Sequence, residues 1–145
     1  MPSLSENRRA KFDYDILEKL EAGVELLGHE VKSAKSGRFE IAGAYVLIRK
    51  NEAWLINSKV PPYQPKNTPV DYKPERTRKL LLNQLEIKNL TGRLQEKGLS
   101  LIPLRVYLKK NLVKVELGLA RSRKKGDKRE YLKKKTVRRE MRNRE

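Results

Sequence analysis

The sequence predicts a mainly β protein: a small closed barrel of five or six short strands, with two helices in its connections and a basic tail behind it. Three observations predict this. Apolar and polar residues alternate with period two in several short stretches, as on strands with one wet face. Two pairs of such stretches are separated by only two or three turn-forming residues, the spacing of hairpins. Two other segments carry helix start and stop signals instead.

Taken in order, Leu20, Ala22, Val24 and Leu26 alternate with Lys19, Glu21, Gly23 and Glu25, which predicts a half-buried strand. Residues 28–36 predict a short helix stopped by Gly37. Residues 44–49 and 53–60 flank Lys50-Asn51-Glu52, a hairpin. Residues 61–74 hold five of the seven prolines and predict a long exposed loop. Residues 78–82 add a short strand. Asn83-Gln84-Leu85-Glu86 has the form of a capping box, Leu85, Ile87, Leu90 and Leu94 form an imperfect apolar stripe, and Gly98 supplies the stop. Residues 99–109 and 112–120 flank Lys110-Asn111, a second hairpin, with Val113, Val115, Leu117 and Leu119 facing in and Lys114 and Glu116 facing out. Pro103 fits an edge or a bulge better than a central strand. Trp54 lies mid-strand and is either core or an exposed aromatic.

Charge divides the chain. Its 145 residues carry 35 Lys and Arg against 18 Asp and Glu, a net +17. Residues 122–145 hold twelve of the basic residues and only four of the acids, with Tyr131, Leu132, Val137 and Met141 as their sizeable apolar side chains. Burial of so few side chains does not offset the ~1–2 kcal/mol per residue needed to order a backbone. Two regions are therefore expected: a folded unit over residues 1–121, and a basic tail over residues 122–145, disordered when free and able to become helical once its charge is neutralised.

Composition also limits the chemistry. There is no cysteine, so disulfides, thiolate nucleophiles and thiolate metal sites are excluded, and the lone His29 leaves no second imidazole for a histidine metal cluster. No run approaches the ~18 apolar residues of a membrane span, and the N-terminus has no apolar signal core, so a cytoplasmic protein with no membrane partner is expected. The acids Asp13, Asp15, Glu21, Glu25, Glu30, Glu40 and Glu52 are scattered, and no glycine pattern cradles phosphate. Catalysis would have to use His29 or a carboxylate, so an enzyme is not expected, nor any cofactor or metal. A strong positive field favours a polyanion. Three basic patches lie outside the tail: Arg8, Arg9 and Lys11; Lys32, Lys35 and Arg38; and Arg76, Arg78 and Lys79. Phe12, Tyr14, Tyr45, Trp54, Tyr63, Tyr72 and Tyr107 are the aromatics available to stack on bases. These point to RNA binding.

Several segments resemble a known family. Asn7-Arg8-Arg9-Ala10-Lys11, Glu21-Ala22-Gly23, Gly28-His29-Glu30-Val31-Lys32-Ser33, Arg76-Thr77-Arg78-Lys79-Leu80-Leu81-Leu82-Asn83, Pro103-Leu104, Lys114-Val115-Glu116-Leu117-Gly118-Leu119-Ala120 and Asp127-Lys128-Arg129 occur in that order. Together they resemble the small protein B (SmpB) family, the SsrA-binding proteins of bacterial trans-translation, over residues 7–130. The resemblance implies an oligonucleotide-binding (OB) fold barrel of about six strands with two or three helices. It implies binding to the tRNA-like domain of transfer-messenger RNA and its delivery to stalled ribosomes, with the tail in the empty messenger channel. It implies as partners transfer-messenger RNA, the ribosome at its small-subunit decoding region, and elongation factor Tu, indirectly through the aminoacylated RNA. A monomer is expected.

By the same resemblance, Asn7, Glu21, Leu81 and Asn83 match positions that bind transfer-messenger RNA, and Asp127, Lys128 and Arg129 match a tail motif that acts on the ribosome. Lys32, Arg38 and Lys79 are candidate phosphate contacts on charge alone. Asn83 also suits a helix N-cap, and Leu81 a core position. Glu21 is unfavourable near phosphates unless it accepts from a base edge or a 2′-hydroxyl, and Asn7 has no evident structural task. Three departures stand out: Ser122 where Gly is usual, Gly126 where an aromatic or His precedes the Asp-Lys-Arg motif, and Phe12 where His is common. A structural RNA-binding barrel of the ribosome is the second reading, and a metal-independent ribonuclease a distant third.

Overall fold

Two-residue turns close both predicted hairpins. In the computed structural model, which describes residues 2–123, Lys50 and Asn51 have φ of 50° and 60°, and Lys110 and Asn111 have φ of 51° and 64°. Two successive left-handed residues give a turn whose twist matches that of the strands it joins, and Asn tolerates this conformation better than most side chains. Arg49 stands opposite Glu52, so Glu52 belongs to the strand rather than to the turn.

In chain order the elements are β1 (Ser3–Glu6), α1 (Ala10–Asp13), β2 (Tyr14–Val24), α2 (Gly28–Lys35), β3 (Tyr45–Arg49), β4 (Glu52–Ile56), β5 (Arg78–Leu81), α3 (Gln84–Arg93), β6 (Leu99–Lys109) and β7 (Leu112–Ser122), with a 3-10 turn at Pro65–Asn67. The strands form one seven-stranded antiparallel sheet in the order β1-β6-β7-β2-β5-β4-β3.

The expected closed barrel is corrected here: the sheet is not closed. β3 ends the ladder and approaches the first half of β6 without pairing with it. The free edge of β6 is instead paired at Arg105–Tyr107 by β1, the additional strand that takes the count to seven. Between β3 and residues 99–102 of β6 runs a groove of about 770 Å³.

Other differences have local causes. β2 starts at Tyr14 rather than near Lys19, because a register shift between Ile16 and Glu18 interrupts the alternation that makes a strand visible in sequence. Pro103 sits at a register shift in β6, a bulge, as its missing N–H requires. The α3 capping box is present: the Asn83 side chain accepts from the Glu86 N–H at 2.8 Å, and the Glu86 carboxylate accepts from the Asn83 N–H at 3.1 Å. Ile87 and Leu90 face the core, but Leu85, half a turn out of phase with them, is 73% exposed and leaves the predicted stripe.

The main core lies on the inner face of the sheet and includes Phe39, Leu55, Leu80, Leu101, Val115 and Leu117. A smaller cluster of Ala10, Ile102 and Ala120, with Tyr14, Ile16 and Leu104, lies on the other face, where α1 packs on β2. Side chains at one strand position and the next point to opposite faces, so Leu119 and Ala120 contribute to different clusters.

Candidate nucleic-acid interface

β5 joins the two halves of the outer face. Leu80 is buried on the inner side, so Lys79 and Leu81 point outward. Leu81 stands opposite Gly23 of β2 and is 49% exposed, which removes the core reading of that residue. A Cβ on Gly23 would come within 3.2 Å of the Leu81 side chain, so the glycine lets Leu81 lie close to the sheet. Lys79 stands opposite Trp54 of β4, and its ammonium is 3.4 Å from the Glu52 carboxylate.

Glu21, two residues before Gly23, belongs to the same outer face. Its carboxylate accepts from the Tyr107 hydroxyl of β6 and lies 3.4 Å from the Lys109 ammonium. The Tyr107 hydrogen bond holds its pKa below the usual carboxylate value, with Lys109 helping. Burial and the Glu21 charge push the Tyr107 hydroxyl well up. The carboxylate is thus held in place within the protein, and its outer side is turned to solvent.

Asn7 does have a structural task. Its side-chain amide donates to the Pro103 carbonyl at 3.0 Å and its N–H to the Leu104 carbonyl at 2.8 Å, so it pins the segment before α1 to the bulge of β6. Asn83 caps α3, two residues beyond Leu81. Lys32 and Arg38 are exposed on α2 and just after it. Glu21, Lys79 and Leu81 therefore share the outer face of the paired strands β2 and β5, with Asn83 just beyond, whereas Asn7 precedes α1 and Lys32 and Arg38 belong to α2 and the residues after it. Asp127, Lys128 and Arg129, with Gly126, lie outside the described residues.

One predicted basic patch dissolves. Arg78 is fully buried, and its guanidinium lies 2.5 Å from the Glu30 carboxylate, which is also fully buried. Arg76 pairs with the same carboxylate, and the Tyr72 hydroxyl donates to it at 2.8 Å. Arg78 also donates to Ser58 Oγ at 3.1 Å and to the Pro74 carbonyl at 2.9 Å. This network fastens the proline-rich 61–74 loop to α2. Burial works against the Glu30 charge, yet Arg76, the Leu27 N–H, Tyr72 and Arg78 together hold its pKa down to about 2. Burial and the Glu30 charge raise Tyr72 to about 12. His29 presents its ring edge to Tyr72, with centroids 4.5 Å apart, and neither ring nitrogen has a hydrogen-bond partner among the described residues.

The signal for Arg78 was available in the strand period. Arg78 and Leu80 share one face of β5, so an inward Leu80 implies an inward Arg78. Nothing local identifies its partner, 48 positions earlier in the chain. Tyr107 was likewise visible only as an aromatic; it is buried, donating to Glu21, and carries Arg105 over its ring at 4.3 Å.

The chain as a whole is similar to known proteins. The model of the SmpB protein family matches residues 4–145. An SsrA-binding protein of Gloeothece citriformis is 49% identical over 138 residues, covering 95% of this chain and 89% of the relative. One from Thermosynechococcus vestitus is also 49% identical, covering 95% and 91%. A solved structure described as "tmRNA-SmpB: a journey to the center of the bacterial ribosome" is 43% identical, with a TM-score of 0.68, covering 83% of this chain and 84% of that one.

Proposed function

This chain belongs to the SmpB protein family, and on that premise we infer how it works. It binds transfer-messenger RNA and acts with it on the ribosome in trans-translation. The sheet is read as an OB-fold barrel with one open seam, and the outer face of β2 and β5 as its contact with the tRNA-like domain. The observation that carries this reading is Leu81: a large apolar side chain, half exposed on a glycine, between the cation of Lys79 and the held carboxylate of Glu21. An apolar contact flanked by a phosphate-binding ammonium and a hydrogen-bond acceptor suits a sugar and base edge of folded RNA. Asn83, besides capping α3, adds an amide at the same rim.

In this reading the protein catalyses no reaction and needs no cofactor. It delivers the RNA, with elongation factor Tu bound to the aminoacylated end, to stalled ribosomes in the cytoplasm. Asp127, Lys128 and Arg129 act there, in a tail that occupies the empty messenger channel. Lys32 and Arg38 contribute to phosphate binding from a second side.

The test is a competition titration. Labelled transfer-messenger RNA is challenged with ordinary tRNA and an unrelated hairpin across a salt series. Preference for transfer-messenger RNA that persists at physiological salt is the expected result. Equal competition with one common salt slope would reduce the binding to the +17 charge and favour a general RNA-binding barrel.

A further inference from the structure

The outer face continues beyond Leu81 in an unusual way. Strand residues that turn away from a core are ordinarily polar. On β3 and β4, however, Leu47 stands opposite Trp54 and Tyr45 opposite Ile56, all four on the outer side, since Val46, Ala53 and Leu55 are buried on the inner one. Tyr45 is 38% exposed and Leu47 37%, while Trp54 is half-buried between its neighbours. Single exposed apolar residues need no explanation, but four adjacent in register form a platform.

Two basic side chains border it. Arg49 lies one outward position along β3 from Leu47, and Lys79 is directly across from Trp54. Two acids border the same rows: Glu52, which is paired with Lys79, and Glu25, whose N–H donates to the Lys79 carbonyl at 2.9 Å and which ends the row on the β2 side. The platform also runs without interruption, through Lys79 and Leu81, into the face already assigned to RNA.

We propose that Trp54, flanked by Leu47 and Lys79, is a stacking site for one unpaired base of the bound RNA. An indole offers a large flat surface to any base, and an adjacent ammonium binds the phosphate of the same nucleotide. A protein partner would find the same apolar area, but the chain carries +17 and the platform is continuous with the face assigned to RNA. The proposal rests on the assignment of this face to transfer-messenger RNA and extends it from β2 and β5 to β4 and β3.

The chain contains one tryptophan, so the site carries its own reporter. The full-length protein is titrated with transfer-messenger RNA while Trp54 fluorescence is followed, and binding is measured in parallel by gel shift. Stacking quenches the indole in step with complex formation. Trp54→Ala is expected to weaken affinity about tenfold or more, Trp54→Phe to restore most of it, and neither to change the salt slope, whereas Lys79→Ala lowers that slope by about one. Complex formation by gel shift without quenching, or with Trp54→Ala binding as tightly as the parent, overturns the stacking site and leaves the RNA-binding face intact. No complex by gel shift overturns both. If Trp54→Ala does not fold, as its thermal melt will show, the quench in the unaltered protein decides.

Discussion

Glu30 and Arg78, 48 positions apart in the chain, form an ion pair in which both side chains are completely buried. Taking two charges out of water is costly, and their attraction offsets that cost only when the remaining hydrogen-bonding capacity is filled. Here it is filled by Arg76, Tyr72, Ser58 and the Pro74 carbonyl. The pair therefore serves to fasten the 61–74 loop and α2 to the end of β5.

Removing one partner should be severe. Glu30→Gln leaves Arg78 buried without its counter-charge and is expected to cost about 3–5 kcal/mol, measured by urea denaturation. A loss below 1 kcal/mol would mean that water reaches the guanidinium.

The same pair gives a pH dependence. The folded-state pKa of Glu30, about 2, is below the ordinary glutamate value of about 4.3, so its contribution to stability is complete above the unfolded value and is lost as pH falls from there towards 2. Tyr72, raised to about 12, contributes below the unfolded tyrosine value of about 10 and loses that contribution as pH rises from 10 to 12. Thermal melts from pH 2 to 5 should fall steeply at the acid end in the parent and less so in Glu30→Gln.

Glu21 and Tyr107 should behave as a unit. Glu21→Ala is expected to weaken transfer-messenger RNA binding by about 1–3 kcal/mol. Tyr107→Phe frees the carboxylate to turn towards solvent, and should weaken binding by about 1 kcal/mol. Filter binding of the double variant should match Glu21→Ala alone; full additivity would separate the two residues.

Asn83 has two tasks that can be told apart. Loss of its cap in Asn83→Ala should cost about 1 kcal/mol of stability. Asn83→Ser or Asn83→Asp keeps the cap and should restore the melt, while RNA affinity, if the amide itself is read, recovers in neither variant.

Truncation after Arg123 is the informative cut, because the Arg123 N–H donates to the Asp13 carbonyl at 2.9 Å and its side chain pairs with Asp15 at 3.1 Å. RNA affinity should stay within about tenfold, with some loss of salt slope from the missing cations. Peptide tagging on stalled ribosomes should be abolished. Retained tagging would remove Asp127, Lys128 and Arg129 from the functional residues.

What could be read in sequence follows from how far apart the interacting groups lie. The turns at Lys50-Asn51 and Lys110-Asn111, the Asn83–Glu86 cap and the bulge at Pro103 depend on neighbours within a few residues, so side-chain type alone determined them. So did the inward set Val113, Val115, Leu117 and Leu119, through strand period. The family was legible because its motifs recur in order. Only the tertiary structure decided that Leu81 is exposed, that Asn7 is tied to the β6 bulge, that Glu21 is held by Tyr107, and that Arg78 belongs to the interior. It also decided that β1, rather than β3, pairs with the free edge of β6 and leaves the sheet open. A period-2 pattern says which face a residue occupies, but a strand edge or a buried charge finds its partner only when distant segments compete for it during packing.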